Sequence, residues 1–454
     1  MADSSNTKNN INNATEDINK NTKEDIIDFK VDIEDYLENK EDNKEDNKKD
    51  SDIKKKKSAG MIVKTSLKSL LLVFEIFTII VMSLAIFMLI TPNSKALLAN
   101  TWLGRFVIKI VVTDSDYDNI LDADYNRDDT GINKEINDDI LDDYTNIALF
   151  GLDSRFGELG QGVRSDSIII VSINEKTKEV RLCSVYRDNW LRIVKPDGTT
   201  EYGKVNSAYA FGGPEAAVKT LNQNFDLNIK DYAAVNFYGI SKIIDMVGGI
   251  DVSITSTEMY WINQYLTETR KVTGLDAPDV TSYGAVHLSG LQATAFCRIR
   301  YTTFTDPDGN KYNDDFGRTA RQRFVIEQLV SKAKNAGLDT VMDMAEEIFN
   351  ADQTIVKTSI PYDDLLVMIP VLIDFNITGS AGFPTTYTCP DHSVTGGESS
   401  VVAQGFAYNV TKMHQFLFGD YNYKPSTVVQ GISDMLYLKT HVEEVTLKED
   451  ATED

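Results

Sequence analysis

The sequence predicts an α/β fold, a mixed central β-sheet flanked by helices, preceded by a disordered tail and one transmembrane helix. Three observations carry that prediction. Short runs rich in β-branched residues, at Asn146–Phe150, Ser167–Ile173 and Val180–Tyr186, read as buried strands. Beyond them, segments of helical periodicity alternate with further strand-like runs, the pattern of helices covering a sheet. Ahead of them, Leu70–Ile90 is an apolar run of the ~20 residues a bilayer takes.

Residues 1–60 are almost wholly Asn, Asp, Glu, Lys and Ile, and bury too little apolar surface to offset ordering entropy. They are expected to form a disordered cytoplasmic tail. The membrane helix is assigned to 67–91. Lys54 to Lys57, Lys64 and Lys68 precede it, against Lys95, Arg105 and Lys109 after it, so the N-terminal side should be cytoplasmic and the rest outside. Glu75 inside the span has no assigned role. Residues 92–144, acidic from 114, read as an extracellular juxtamembrane segment and linker holding the outer domain away from the membrane.

The outer domain is expected over 145–420. After its three opening strands, Glu215–Asn224 reads as a helix following Gly-Gly-Pro, Ala233–Phe237 as a strand, Ile240–Val247 as a helix and Ile250–Ile254 as a strand. Leu288–Phe296 is a short helix leading into an Arg298-Ile299-Arg300 strand. Arg318–Asn335 and Tyr362–Phe375 are longer helices. Residues 421–454 are expected to trail off as an acidic tail. The three cysteines, Cys183, Cys297 and Cys389, form no disulfide scaffold.

Five of the thirteen arginines, Arg298, Arg300, Arg318, Arg321 and Arg323, fall within 26 residues of a chain whose net charge is −23. Guanidinium forks suit phosphate and carboxylate. Arg298 and Arg300 are spaced for one strand face, and Arg318, Arg321 and Gln322 for one helix face. The two faces are expected to converge on one multiply charged anion, with Arg323 left as a solvated charge. Overall acidity excludes nucleic acid as a general ligand. Asp153 ends the first strand, Asp166 opens the second, and Arg187 follows the third. If these strands are neighbours, two carboxylates able to hold a hard cation such as Mg²⁺ meet an arginine, an arrangement for phosphoryl transfer.

Gly151-Leu152-Asp153-Ser154-Arg155, Arg164-Ser165-Asp166, Tyr186-Arg187-Asp188, Lys204-Val205-Asn206-Ser207-Ala208-Tyr209, Phe211-Gly212-Gly213-Pro214-Glu215, Val247-Gly248-Gly249-Ile250-Asp251-Val252, His287-Leu288-Ser289-Gly290, Arg298-Ile299-Arg300 and Asp315-Phe316-Gly317-Arg318 occur in one order. That order resembles the LytR-CpsA-Psr family of bacterial envelope proteins over roughly 145–420. The resemblance implies a membrane-anchored phosphotransferase whose extracellular catalytic domain moves a teichoic acid, capsule or related wall polymer. The donor would be a polyprenyl-pyrophosphate carrier and the acceptor peptidoglycan, joined through a phosphodiester, in a bacterium of Gram-positive type. It further implies Mg²⁺ (Mn²⁺ as its substitute) at Asp153 and Asp166. Arg187 and Asp315 would be catalytic, Asp315 as base. Arg298, Arg300, Arg318, Arg321, Gln322, Lys204 and Asn206 would face the pyrophosphate, and the prenyl chain would lie in an apolar tunnel. Tyr186 stands where the family often has proline.

Two other activities use the same residues: a lipid-pyrophosphate phosphatase with water as acceptor, and a non-catalytic envelope regulator or binding module. A zinc site is not expected, because His287, His392, His414 and His441 lack ligand spacing. No Gly-x-Ser-x-Gly elbow or Gly-Lys-Ser/Thr phosphate loop occurs.

Overall fold

The computed structural model describes residues 120–136, 138–154, 159–349, 351, 354–361, 364–365 and 375–443, all within the compact unit Ser83–Asp454. The expected tail at 1–60, the membrane helix at 67–91 and the first part of the linker lie outside the described residues, as does most of the helix expected over 362–375.

A short helix α1 (Asp138–Leu141) leads into β1 (Tyr144–Leu152), β2 (Ser165–Asn174) and β3 (Glu179–Val185). The hairpin of β4 (Trp190–Val194) and β5 (Thr200–Lys204) precedes helix α2 (Ser207–Phe225). Then come β6 (Asp231–Asn236), α3 (Phe237–Met246), β7 (Ile250–Ile254), α4 (Ser256–Thr273), β8 (Gly284–Leu288) and α5 (Gly290–Phe296). Two short strands, β9 (Phe304–Thr305) and β10 (Lys311–Tyr312), precede α6 (Asp314–Ala336) and α7 (Leu338–Phe349). The chain continues through β11 (Val356–Thr358), β12 (Asn376–Phe383), β13 (Tyr387–Thr388), β14 (Val402–Ala403), α8 (Phe406–Phe418) and α9 (Thr427–Thr440).

The main sheet runs β11-β6-β1-β2-β3-β12. Its β1/β2 and β2/β3 pairs are antiparallel, whereas β1/β6 and β3/β12 are parallel, so the expected mixed sheet is found. Both faces are covered, and strand alternation sorts the apolar residues between them. Phe150, Ile168 and Ile170 join Val218, Phe225, Val410 and Val429 from α2, α8 and α9. Ile147 and Ile169 face the other way, with Ile326 of α6 against them. On that side α3, α4, α5 and α6 share a second core of Ile244, Ile262, Leu266, Phe296 and Val325.

Three expectations fail. Residues 120–143 are not a free linker: Ile120 and Leu141 are buried, Arg127 pairs with Asp231 at 2.7 Å, and Lys219 bonds Asp129 at 2.8 Å. The described part of the 421–454 tail is not a tail either, since Val429, Ile432 and Leu436 of α9 complete the first core. Arg298-Ile299-Arg300 forms a turn leaving α5, held by Arg298 N–H on the Ala295 carbonyl at 3.1 Å, and not a strand.

Candidate active site

The antiparallel β1-β2-β3 order puts the end of β1, the start of β2 and the end of β3 at one edge of the sheet, with Leu152 opposite Ser165. Asp153, Asp166 and Arg187 therefore meet where the sequence expected them. The β4–β5 hairpin reaches the same edge, tied by Val205 N–H to the Asn189 carbonyl and Asn206 N–H to the Arg187 carbonyl. It delivers Lys204, 3.2 Å from Asp188, and the buried Asn206, whose Oδ1 accepts no hydrogen bond.

The first turn of α6 and the turn after α5 complete the cluster. Asp166 is met by Arg187 at 2.8 Å, Arg318 at 3.5 Å and Arg300 at 3.7 Å. Asp315 is met by the same three, at 3.5 Å (Arg187), 3.0 Å (Arg318) and 3.5 Å (Arg300). Arg187 also lies 3.5 Å from Asp188, itself 3.2 Å from Lys204, so four cations interleaved with three carboxylates leave one positive charge. Burial would raise the Asp166 carboxyl, but Arg187, Arg318 and Arg300 outweigh it and hold its pKa below the usual carboxylate value. Burial brings the 3 % exposed Arg318 down to about 10, which leaves it charged at neutral pH. The Nε groups of Arg187 and Arg318 are buried donors without a hydrogen bond, as is the acceptor Oδ1 of Asp315. Buried donors that lack a hydrogen bond, the Arg187 Nε standing at ion-pair distance from Asp315 and Asp188, suit an anion that is not part of the chain.

Arg298 and Arg321 make their ion pairs elsewhere than with Asp166 and Asp315. Arg298 bonds Glu268 and Thr269 of α4, both at 2.8 Å, and lies over the Phe237 and Tyr265 rings. The fully buried Arg321 pairs with Glu258 at 2.8 Å and reaches the carbonyls of Ile299 and Thr302. It braces the turn that presents Arg300 instead of pairing with Asp166 or Asp315. Arg323 is buried rather than solvated, its Nε on Ser380 Oγ at 2.9 Å.

Two cavities meet at Asp166, which lines both. One is polar, about 770 Å³, walled by Asp153, Arg164, Arg187, Lys204, Asn206 and Arg300. The other is apolar, about 320 Å³, between the sheet (Leu149, Ile169, Ala233, Val235) and helices α3 and α6 (Ile240, Val325, Leu329). Gln322 and Arg298 lie in the wall of the apolar cavity. Several groups read from sequence as core or polar site therefore line a slot.

Sequence reasoning passed over Glu258, whose Oε2 caps α4 while Oε1 holds Arg321. The Thr255-x-x-Glu258 spacing signals the cap, and nothing local signals the arginine. It also missed what Tyr186 does. Its ring packs edge-on against Phe316 at 4.7 Å, coupling the residue before Arg187 to the one after Asp315. A Cβ at Gly382 would collide with the Tyr186 hydroxyl, so that strand residue must be glycine.

Among the described residues no group of three or more metal-ligating side chains forms. The polar cavity does hold Asp153 and Asp166, a donor set that fits a hard cation taking its remaining ligands from phosphate and water.

The family model described as LytR_cpsA_psr family matches residues 109–378. TagU of Bacillus cereus, a polyisoprenyl-teichoic acid–peptidoglycan teichoic acid transferase, is 33% identical over 223 residues, covering 49% of this chain and 62% of the relative. TagU of Enterococcus faecalis is 34% identical over 220 residues, covering 48% and 62%. The match thus spans less than two thirds of these relatives. Among solved structures, TagV of B. subtilis is 23% identical with a TM-score of 0.45, covering 62% of this chain and 98% of that one.

Proposed function

Because this chain belongs to the LytR-CpsA-Psr family, we propose that it transfers a glycopolymer from a polyprenyl-pyrophosphate carrier to peptidoglycan. The observation that carries the proposal is the junction at Asp166: an apolar slot opens beside a polar cavity walled by Arg187, Lys204 and Arg300. A prenyl chain joined to a pyrophosphate matches both.

On this reading the prenyl chain lies against Ala233, Val235 and Leu329, and the pyrophosphate replaces carboxylate contacts on Arg187, Arg300 and Arg318. The acceptor hydroxyl attacks the phosphorus that carries the glycan. A new P–O bond forms, the bridging P–O bond to prenyl phosphate breaks, and the hydroxyl proton passes to Asp315, whose Oδ1 has no hydrogen bond. Prenyl phosphate leaves with the electron pair. The guanidiniums stay fixed while charge builds on the equatorial oxygens, where preorganised donors lower the barrier most. Asp153 and Asp166 would hold Mg²⁺, which when bound adds charge neutralisation on the phosphates. Arg298 and Arg321 act through position, the first beside the apolar slot and the second behind Arg300. The same reading puts the domain outside the cell, anchored by residues 67–91; protease treatment of intact cells should remove the domain and spare residues 1–60.

The test uses the full chain in detergent with a polyprenyl-pyrophosphate glycan, Mg²⁺ and a peptidoglycan oligomer. A covalent glycan–peptidoglycan product, lost in Arg187→Ala, is expected. Phosphate release without ligation would point to hydrolysis, and tight binding without turnover to a sensor.

A further inference from the structure

Beside the guanidinium cluster, an aromatic shelf stands unused by the chemistry above. Tyr301 follows Arg300 directly and is 64% exposed. Its ring lies 4.9 Å from Trp261 of α4. Trp261 in turn meets Tyr260, 55% exposed, at 5.3 Å and Tyr265 at 6.4 Å. Tyr265 is the ring over which Arg298 sits. The shelf thus runs from Tyr301, the residue after Arg300, through Trp261 to Tyr260 and Tyr265 of α4.

We propose that this shelf is a carbohydrate subsite that holds sugar rings of the acceptor glycan while one of its hydroxyls reaches the phosphorus. The inference rests on the transferase reading and adds to it where the acceptor lies. Hexose rings present flat C–H faces to aromatic rings and hydroxyls at their edges, so a sugar subsite needs exposed rings flanked by hydrogen-bonding groups. Gln264, Thr267 and Glu268 are the exposed polar neighbours on α4. A lipid surface is the weaker match, because headgroup binding by a helix draws on a fringe of Lys and Arg. The exposed positions of α4 carry only Lys271.

The acceptor, rather than the donor's sugars, is assigned on position. The apolar slot takes the donor's prenyl chain and the polar cavity its pyrophosphate. Tyr301 lies on the side of Arg300, and the Arg300 Nε is 3.5 Å from Asp315, the carboxylate assigned to take the acceptor's proton.

The test needs no donor. Binding of a β-1,4-linked N-acetylglucosamine tetramer to the full chain in detergent is followed by tryptophan fluorescence and by saturation-transfer NMR. Tyr301→Ala should weaken binding about tenfold, the order expected for one lost aromatic face. Tyr301→Phe should retain it. In the ligation assay Tyr301→Ala should raise the acceptor KM with little change in kcat. Equal tetramer binding by wild type and Tyr301→Ala, or none by wild type, overturns the proposal. So does a Tyr301→Ala defect confined to vesicle sedimentation, which would make the shelf a membrane contact. Tetramer binding that survives while ligation fails leaves the subsite standing and sinks the transferase reading.

Discussion

Arg321 Nη2 lies 2.8 Å from Glu258 Oε1, and both side chains are withdrawn from water. The pair joins α6 to α4 beneath the turn that presents Arg300. The rings of Phe304 and Phe296 lie 5.1 and 5.5 Å from the same guanidinium.

Breaking that pair should unfold the site from behind. Arg321→Ala leaves the buried Glu258 charge without its ion-pair partner, and is expected to cost about 3–5 kcal/mol in urea denaturation. A double variant, Arg321→Met with Glu258→Leu, should recover most of that loss. If the single substitution is silent in denaturation yet abolishes donor binding, Arg321 touches the ligand after all.

Arg187 and Arg298 should separate cleanly. Arg187→Ala removes a guanidinium shared between Asp166 and Asp315 and is expected to lower kcat by about 10²–10³-fold, the range for one preorganised donor. Arg298→Ala breaks bonds to Glu268 and Thr269 and should act on KM for the lipid donor instead. Steady-state kinetics with one donor distinguishes them.

Filling the apolar slot should block the lipid without touching the charges. Ala233 lines it from β6, and Ala233→Phe is expected to weaken polyprenyl-pyrophosphate binding by about tenfold or more. Binding of inorganic pyrophosphate should not change. Thermal shifts with the two ligands make the comparison.

Acid should weaken the fold through His414. Its ring is buried, 3.6 Å from the stacked Tyr423 ring, with Nε2 on the Phe225 carbonyl at 2.8 Å. Burial pushes its pKa down to about 4, whereas the unfolded chain protonates near the ordinary value of about 6.5. The unfolded state therefore binds the extra proton between those values. Stability present above pH 6.5 falls as pH drops toward 4, by roughly 3 kcal/mol. Urea midpoints of wild type and His414→Leu should converge across that window. A constant gap would mean the ring titrates alike in both states.

The sheet and its charged edge were legible because short β-branched apolar runs and strand-end residues are local signals. Asp153, Asp166 and Arg187 needed only the antiparallel order of three successive strands. The arginine cluster was legible as a cluster and misleading in its details. Spacing placed Arg298 with Arg300, and Arg318 with Arg321, yet a turn sends the first pair apart and burial turns Arg321 inward. Which partner a guanidinium finds depends on Glu258 and Glu268, separated from their arginines by 63 and 30 residues. The slot was hidden for a different reason: a residue lining an empty apolar space and one packed in a core have the same composition.

Asp226, the left-handed residue that ends α2, accepts from Asn133 on the incoming side and from Ser426 Oγ, at 2.7 Å, on the outgoing side. Thr427 adds a bond to Glu135 at 2.6 Å. The strand of chain entering the domain and the helix closing it are thus clasped at one carboxylate. A pull applied between these two segments would load that carboxylate as well as the bonds that tie Ile120 and Asp122 to Thr358 of β11.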